Sequence, residues 1–246
     1  MPDTPVPPAP SAMQQAPEKR HGQTTGSNVS PGQKLVVFDV GETLVSETAI
    51  WHRIARHLDL PPFTVSAAAG IALARNTGFE AILKQLGDFS AIAGEPWRRP
   101  DLLSFTADDL YDDVLPALKG LRQNGHKIGI CGNQPASSEQ VLHDLPCDID
   151  WISSSARLKC KKPDPAFFKA IIDQTGHDPA HIIYIGDRLD NDIYPALHHG
   201  LEAIWLLRGP WSFAQWQENG VPDGIRAIRS LCELPGVLAN TTIPAG

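Results

Sequence analysis

The stretch Lys34-Leu35-Val36-Val37-Phe38-Asp39-Val40-Gly41-Glu42-Thr43-Leu44 decides the fold, because it joins a short apolar run directly to an acidic residue. Residues 35–38 are four large apolar side chains in succession, which is typical of a strand buried on both faces of a sheet. Strands of this kind occur in parallel sheets that are covered by helices on each side. We therefore expect this stretch to form the first strand of an α/β core.

Four similar runs follow along the chain, at residues 126–131 (HKIGIC), 149–153 (IDWIS), 181–185 (HIIYI) and 202–207 (EAIWLL). Helical patterns lie between them, at residues 114–123, 139–145, 165–174 and 190–199. This alternation predicts βαβ units and a doubly wound parallel sheet of the Rossmann-like type. Right-handed crossovers then bring the C-terminal ends of all strands to one edge, where such sheets bind ligands.

The domain organisation follows from where this rhythm stops. Residues 47–113 contain helical patterns at 49–58, 65–75 and 79–86 but no strand run, so we predict an all-helical insert there that forms a second, smaller domain. The α/β core then comprises residues 33–46 and 114–240. Residues 1–32 are rich in Pro, Ser, Gln and Gly and predict a disordered tail, because they cannot bury enough apolar surface to offset their ordering entropy. Residues 241–246 form a C-terminal tail.

Composition narrows the class of protein. The chain has 246 residues with 42% hydrophobic and 20% charged residues, ordinary values for a globular protein with a sizeable core. The net charge of −7 argues against a nucleic-acid or membrane partner, but not against a small anionic substrate, because a metal and a lysine can invert the field inside a cleft. Without a signal-peptide core, a bilayer-length apolar run or paired cysteines, we expect a cytoplasmic protein. Composition sets no oligomeric state.

Three chemically useful side chains fall at the predicted C-terminal ends of strands. Asp39 directly follows the first strand, Asp187 follows the fourth, and Lys162 lies in the segment KKPDP just before a helix. At one edge of the sheet, the two carboxylates would suit the hard, octahedral preference of Mg²⁺ for oxygen. The metal and the lysine would screen an anionic substrate from an anionic nucleophile, and a carboxylate could then form a covalent acyl phosphate. The set therefore suits phosphoryl transfer.

Each of these residues also has a purely structural interpretation. An Asp after a strand often caps a turn, a Lys before Pro is usually solvated, and Asp190 is well placed to be a helix N-cap. Their occurrence together, in order and each near the end of a buried strand, favours the catalytic interpretation.

Three segments resemble signature motifs of the haloacid dehalogenase (HAD) superfamily. FDVGETL at 38–44, KKPDP at 161–165 and IGDRLDND at 185–192 are similar to its first, third and fourth motifs. The resemblance runs in order over residues 34–207, with a helical cap inserted after the first motif. It implies a Mg²⁺-dependent hydrolase that acts on a small phosphorylated molecule through an aspartyl-phosphate intermediate.

The resemblance also implies a role for each matching residue. Asp39 is the nucleophile and a magnesium ligand, and Asp187 is a second ligand. Lys162 holds the nucleophile and the phosphoryl group, while Asp192 supports that lysine and belongs to the metal site. Thr43 matches the threonine that ends the first motif, on the side where substrate binds.

Two positions depart from the pattern of the family's phosphatases. Gly41 stands where a second Asp acts as general acid and then base in those phosphatases. Without that carboxyl group we expect the rate to be lower by about 10²–10⁴-fold. The backbone carbonyl of Gly41 can still bind the metal. Gly132 stands where a Ser or Thr binds the phosphoryl group. Loss of that hydroxyl costs about 3 kcal/mol of binding to the phosphoryl group, and the backbone N–H groups of Gly132 and Asn133 would recover part of it. Glu42 is near enough in sequence to substitute for the acid, although its side chain would usually point elsewhere.

These departures leave three interpretations open. As a phosphatase, the enzyme should favour leaving groups that need no proton, such as acyl or aryl phosphates. It should also hydrolyse its aspartyl phosphate slowly, because no base activates the water. A metal-independent dehalogenase is the first alternative, because a halide also leaves without a proton. The second alternative is a catalytically weak binding or regulatory module on a HAD fold.

Overall fold

A computed structural model describes residues 33–75, Leu86, Leu102 and residues 104–239. Both predicted tails, at 1–32 and 241–246, lie outside these residues. So does the predicted cap helix at 79–86, apart from Leu86.

A single six-stranded sheet forms the centre of the described chain. Its order is β3-β2-β1-β4-β5-β6, and every neighbouring pair is parallel. The strands are β1 (Leu35–Phe38), β2 (Lys127–Gly132), β3 (Trp151–Ser154), β4 (Ile182–Gly186), β5 (Glu202–Leu206) and β6 (Arg226–Ile228). The first five confirm the predicted runs. The sixth was not predicted, because three residues that include an arginine give no apolar run.

Nine α-helices connect and cover these strands within the described residues. They are α1 (Thr48–His57), α2 (Pro62–Ala74), α3 (Val114–Gln123), α4 (Ser138–His143), α5 (Ser155–Leu158), α6 (Pro165–Thr175), α7 (Tyr194–His198), α8 (Gly209–Asn219) and α9 (Leu234–Ala239). A π-helical turn, Leu189–Ile193, precedes α7, so the helix predicted at 190–199 is divided into two parts. In this part of the chain, no helix has both the length and the apolar character that crossing a bilayer requires.

The central strand β1 sends its side chains to two separate cores. Val36 and Phe38 pack on one face in a cluster that includes residues of α3 and α9. Leu35 and Val37 pack on the other face with residues of α6 and α7. Because both faces are covered, β1 is a continuous apolar run rather than an alternating one. The doubly wound α/β fold is therefore confirmed.

Helices α1 and α2 lie in the segment predicted as a cap. Ile54, Ala55, Val65 and Leu102 form a small apolar cluster of their own, separate from the two cores of the sheet. The Arg53 guanidinium donates to the Leu102 carbonyl oxygen at 3.1 Å. These contacts are consistent with a helical cap, but the domain boundaries at 47 and 113 stay a prediction.

The entry and exit of this segment are hydrogen-bonded to each other. The backbone N–H of Ser46 donates to Asp109 O at 2.8 Å, and that of Tyr111 donates to Leu44 O at 3.0 Å. The segment therefore leaves and rejoins the core at one place, immediately after β1.

Asp113 joins this exit to the loops that follow β5 and β6. Its Oδ2 accepts hydrogen bonds from Ser230 Oγ at 2.7 Å, from the Leu231 backbone N–H at 2.9 Å, and from the Arg208 guanidinium. Burial alone would raise the pKa of Asp113, but these donors outweigh it and lower the pKa below its ordinary value. The folded state therefore favours the ionised carboxylate.

We predict that Asp113→Ala lowers the free energy of unfolding by about 2–3 kcal/mol at pH 7, because hydrogen bonds to a charged acceptor are lost. Urea denaturation measures this, with the exposed neighbour Asp112→Ala as a control that changes it by under about 0.5 kcal/mol. Since the folded pKa is lowered, the difference between wild type and Asp113→Ala should shrink as pH falls below 3.8. A difference that is constant down to low pH would contradict the ionic role.

Candidate active site

The two predicted carboxylates, Asp39 and Asp187, lie at the C-terminal ends of the two central strands, whereas Lys162 follows β3 only after helix α5. Asp39 is the first residue after β1, and Asp187 is the first after β4, the strand hydrogen-bonded to β1. The backbone N–H of Asp39 donates to Ile185 O at 2.8 Å, and the Trp205 indole N–H donates to Asp187 O at 2.8 Å. These strands flank the point where the strand order reverses, the usual ligand position in doubly wound sheets.

Lys162 joins two of the carboxylates inside the protein. Its Nζ lies 2.6 Å from Asp39 Oδ1 and 2.6 Å from Asp192 Oδ1, and its side chain is only 1% exposed. Burial alone would lower the pKa of Lys162, but Asp192 and Asp39 outweigh burial and raise the pKa above its ordinary value. The ammonium is therefore held charged between two carboxylates.

Asn133 positions the backbone of Lys162. The Lys162 N–H donates to Asn133 Oδ1 at 2.8 Å, and Asn133 Nδ2 donates to the Lys162 carbonyl oxygen at 3.0 Å. The amide of Asn133 is thus engaged with the loop that carries the lysine. The predicted contact of Asn133 with substrate is through its backbone N–H, which takes part in neither of these two hydrogen bonds.

Asp39, Asp187 and Asp192 form one buried acidic cluster. One carboxylate oxygen from each lies within 4.8 Å of the other two. Desolvation raises the pKa of Asp187 well above its ordinary value, and the neighbouring charges of Asp192 and Asp39 add to the rise. In their ionised forms, the three carboxylates beside the one ammonium of Lys162 carry an excess of negative charge in a buried place. An oxygen-only donor set with that excess fits a hard divalent cation such as Mg²⁺.

Two glycines leave the space that these carboxylates occupy. A Cβ on Gly186 would lie 2.5 Å from the carboxyl carbon of Asp192, so only glycine lets this carboxylate lie over the end of β4. A Cβ on Gly132 would overlap Asp39 Oδ1 and lie 3.2 Å from the Val40 backbone nitrogen. Gly132, which stands in place of a Ser or Thr, therefore lies against the Asp39 carboxylate. A larger residue at this position would have to displace that carboxylate.

The space beside Gly41 is also filled by a carboxyl group. A Cβ on Gly41 would overlap Oε1 of Glu47 and lie 3.2 Å from its Cδ. Burial raises the pKa of Glu47 to about 8, and the charges of Glu42 and Asp39 contribute to the rise. Sequence reasoning missed Glu47, because it was assigned only to the start of the cap.

Both carboxylate oxygens of Glu42 accept hydrogen bonds from neighbouring residues. Its Oε1 accepts a hydrogen bond from the Glu47 backbone N–H at 2.8 Å, and its Oε2 accepts one from the Tyr111 hydroxyl at 2.5 Å. Both carboxylate oxygens therefore hold the entry and exit of the helical segment together.

Among the described residues, an open cavity of about 140 Å³ lies beside the acidic cluster and is bordered by Asp39 and Asp187. Its lining comprises Asp39, Gly41, Glu42, Glu47, Asn133, Gln134, Lys162, Asp187, Arg188, Asn191 and Trp211. Thr43 is not part of this lining. Its side chain is fully buried, and its hydroxyl has no hydrogen-bond partner among the described residues. Its position therefore gives no support to the predicted contact with substrate.

Two further residues near this cavity differ from what the sequence led us to expect. Asp190 is not an N-cap, because its carboxylate accepts hydrogen bonds from the Arg188 guanidinium and from Gln215 Nε2 at 2.7 Å instead. Trp211, at the start of α8, was not predicted to approach the site. Its ring lies 5.8 Å from the Arg188 guanidinium and 6.3 Å from the ring of Trp51. No sequence pattern links these three distant positions.

Comparison with known proteins places the chain among hydrolases. The sequence model of the haloacid dehalogenase-like hydrolases matches residues 33–200. A curated relative, glyceraldehyde 3-phosphate phosphatase of Methanopyrus kandleri, is 29% identical over 117 residues, which are 46% of this chain and 50% of that protein. The chain spans about half the length of the first curated relatives it matches.

Solved structures agree with the fold. A putative haloacid dehalogenase-like hydrolase from Bacteroides fragilis has a TM-score of 0.63 at 22% identity, covering 82% of this chain and 99% of that one. The L-2-haloacid dehalogenase of Xanthobacter autotrophicus has a TM-score of 0.60 at 15% identity, covering 85% and 99%. Both likenesses concern the fold alone, since the identities are low.

The family model covers more than half of the chain, and the parallel sheet and the order of the three motifs agree with it. The chain belongs to the haloacid dehalogenase-like hydrolase family.

Proposed function

We propose that this hydrolase is a Mg²⁺-dependent phosphatase that cleaves a small phosphate monoester through a phosphoryl-Asp39 intermediate. One observation carries the proposal: three buried carboxylates lie within 4.8 Å of one another beside one buried lysine. The name of the Methanopyrus kandleri relative, glyceraldehyde 3-phosphate phosphatase, supports a small phosphorylated substrate. The modest volume of the cavity is consistent with such a molecule.

Asp39 is the proposed nucleophile because its carboxylate borders the cavity, while the ion pair with Lys162 orients it. A carboxylate oxygen of Asp39 forms a bond to phosphorus, and the bond from phosphorus to the leaving oxygen breaks. Water then attacks the phosphoryl group, and the bond to Asp39 breaks to release inorganic phosphate. Lys162 spreads the negative charge that develops on the transferred group.

Asp39, Asp187 and Asp192, with the backbone carbonyl of Gly41, are the proposed holders of Mg²⁺. When bound, the cation would neutralise the phosphoryl oxygens and the excess charge of the cluster. The backbone N–H groups of Gly132 and Asn133 are the proposed donors to those oxygens.

Dehalogenation is less well supported than phosphate transfer. A haloacid is itself a carboxylate, and it would have to approach the excess negative charge of the acidic cluster. Charge repulsion without a cation would oppose this approach. Halide release from 2-haloacids that persists in EDTA would nevertheless favour the dehalogenase alternative. Binding of phosphate esters without turnover would favour the regulatory-module alternative.

We predict that Asp39→Asn lowers hydrolysis of p-nitrophenyl phosphate and acetyl phosphate by at least about 10³-fold, because the amide cannot act as the nucleophile. The assay measures phosphate release with Mg²⁺ present. Asp173→Asn, a change in an exposed ion pair on α6, is the matched control that retains activity. Equal activity in Asp39→Asn and wild type would rule out this nucleophile.

We also predict that Mg²⁺ stabilises the folded protein. At about 100 times its dissociation constant the cation adds about 2.7 kcal/mol, which raises the melting temperature by roughly 5–10 °C. Asp187→Asn should remove this shift and also raise the melting temperature in EDTA, because it removes a charge that burial and two carboxylates disfavour.

Differential scanning fluorimetry measures both effects, with Asp190→Asn as the control, since Asp190 lies outside the acidic cluster. A shift of the same size in Asp187→Asn and wild type would mean that the cation binds elsewhere.

A further inference from the structure

A glutamate carboxyl group lies where the side chain of residue 41 would begin. A Cβ built on Gly41 would overlap Glu47 Oε1, the nearest atom, and the next nearest is Glu47 Cδ at 3.2 Å. Gly41, Glu47 and Asp39 border the same cavity. The missing side chain has therefore not left a void, because a carboxyl group from another part of the chain fills its place.

Glu47 is held there by the backbone at the start of α1. Its N–H donates to Glu42 Oε1 at 2.8 Å, and its carbonyl oxygen accepts from the Trp51 backbone N–H at 3.0 Å. The Trp51 side chain also makes a hydrogen bond with the Glu47 carboxyl group. These contacts fix the first turn of α1 against the loop after β1.

The other acidic side chains around the cavity are committed to different tasks. Asp39, Asp187 and Asp192 form the cluster proposed to hold the cation. Glu42 uses both oxygens to bind the Glu47 backbone and the Tyr111 hydroxyl. Among the described acidic residues that line the cavity, Glu47 is thus the candidate for proton transfer.

We propose that Glu47 is the catalytic acid and base of this enzyme, performing from the start of the cap helix the task that residue 41 cannot perform. This inference rests on the proposed phosphatase function. From sequence, Gly41 led us to expect a preference for acyl or aryl phosphates, whose leaving groups need no proton. With Glu47 as the acid, alkyl phosphates, whose leaving groups need a proton, also become suitable substrates.

Glu47 alone accounts for the proton transfers in both steps of the reaction. As Asp39 attacks phosphorus and the bond to the leaving oxygen breaks, the Glu47 carboxylic acid gives its proton to that oxygen and becomes a carboxylate. In the second step a water oxygen bonds to phosphorus, the bond to Asp39 breaks, and the water proton passes to Glu47. The acid form is then restored, and no further reactant is required.

The test compares wild type with Glu47→Gln on glycerol phosphate, an alkyl ester, and on p-nitrophenyl phosphate, whose leaving group departs without a proton. With glycerol phosphate we expect turnover to fall by about 10²–10⁴-fold. With p-nitrophenyl phosphate we expect a burst of about one p-nitrophenol per active site, then slow turnover, because the phosphoryl-enzyme forms but lacks a base for its hydrolysis. Acid quenching should trap the phosphoryl-enzyme in the variant.

A relocation of the carboxyl group supplies the matched control. Gly41→Asp alone should be impaired, because its side chain would overlap Glu47. The double variant Gly41→Asp/Glu47→Ala opens that space and returns a carboxyl group to residue 41. We expect it to hydrolyse glycerol phosphate at least about 10-fold faster than Glu47→Ala, since part of the proton transfer is restored.

The outcomes separate this inference from the proposed function. If wild type hydrolyses both esters and Glu47→Gln slows them equally without a burst, Glu47 is merely structural and the inference is overturned. Unchanged turnover of glycerol phosphate in Glu47→Gln overturns it as well. If wild type cleaves neither ester while Mg²⁺ is bound, the phosphatase proposal itself fails, and the role of Glu47 fails with it.

Discussion

The buried ammonium of Lys162, 2.6 Å from a carboxylate oxygen of Asp39 and from one of Asp192, is the interaction on which the site depends. A buried charge is tolerated only when it is paired and hydrogen-bonded, and removal of one partner leaves the other uncompensated. Several features of the chain serve this arrangement. The side chain of Asn133 fixes the lysine backbone, and Gly186 leaves room for the carboxylate of Asp192.

The same charges constrain what else can enter the site. When ionised, the three carboxylates carry more charge than the one ammonium balances, and this excess opposes the approach of an anionic substrate unless a cation is bound. The turn that carries Asp192 is π-helical, and the Arg188 backbone N–H donates to Asp192 Oδ2 at 3.0 Å. Local backbone geometry after β4 therefore decides that Asp192 turns inward to Lys162.

The two glycines at Gly41 and Gly132 have a different meaning in the structure than in the sequence. From sequence, each is the loss of a functional group. In the structure, the space at Gly132 is occupied by the carboxylate of Asp39, and the space at Gly41 by the carboxyl group of Glu47. At both positions a carboxyl group of another side chain therefore occupies the space in which a larger residue would place its own side chain.

The sequence by itself determined the α/β class, five of the six strands, and the convergence of Asp39, Lys162 and Asp187 at one edge of the sheet. Buried parallel strands can be recognised in sequence as apolar runs. The position of such a strand in the sheet also determines where the side chain that follows it lies. Tertiary structure decided which carboxyl group lies beside Gly41 and brought Trp211 to the rim of the cavity. Those positions depend on how α1 and α8 pack against the loops of the core, and packing between distant segments leaves no periodic trace in the chain.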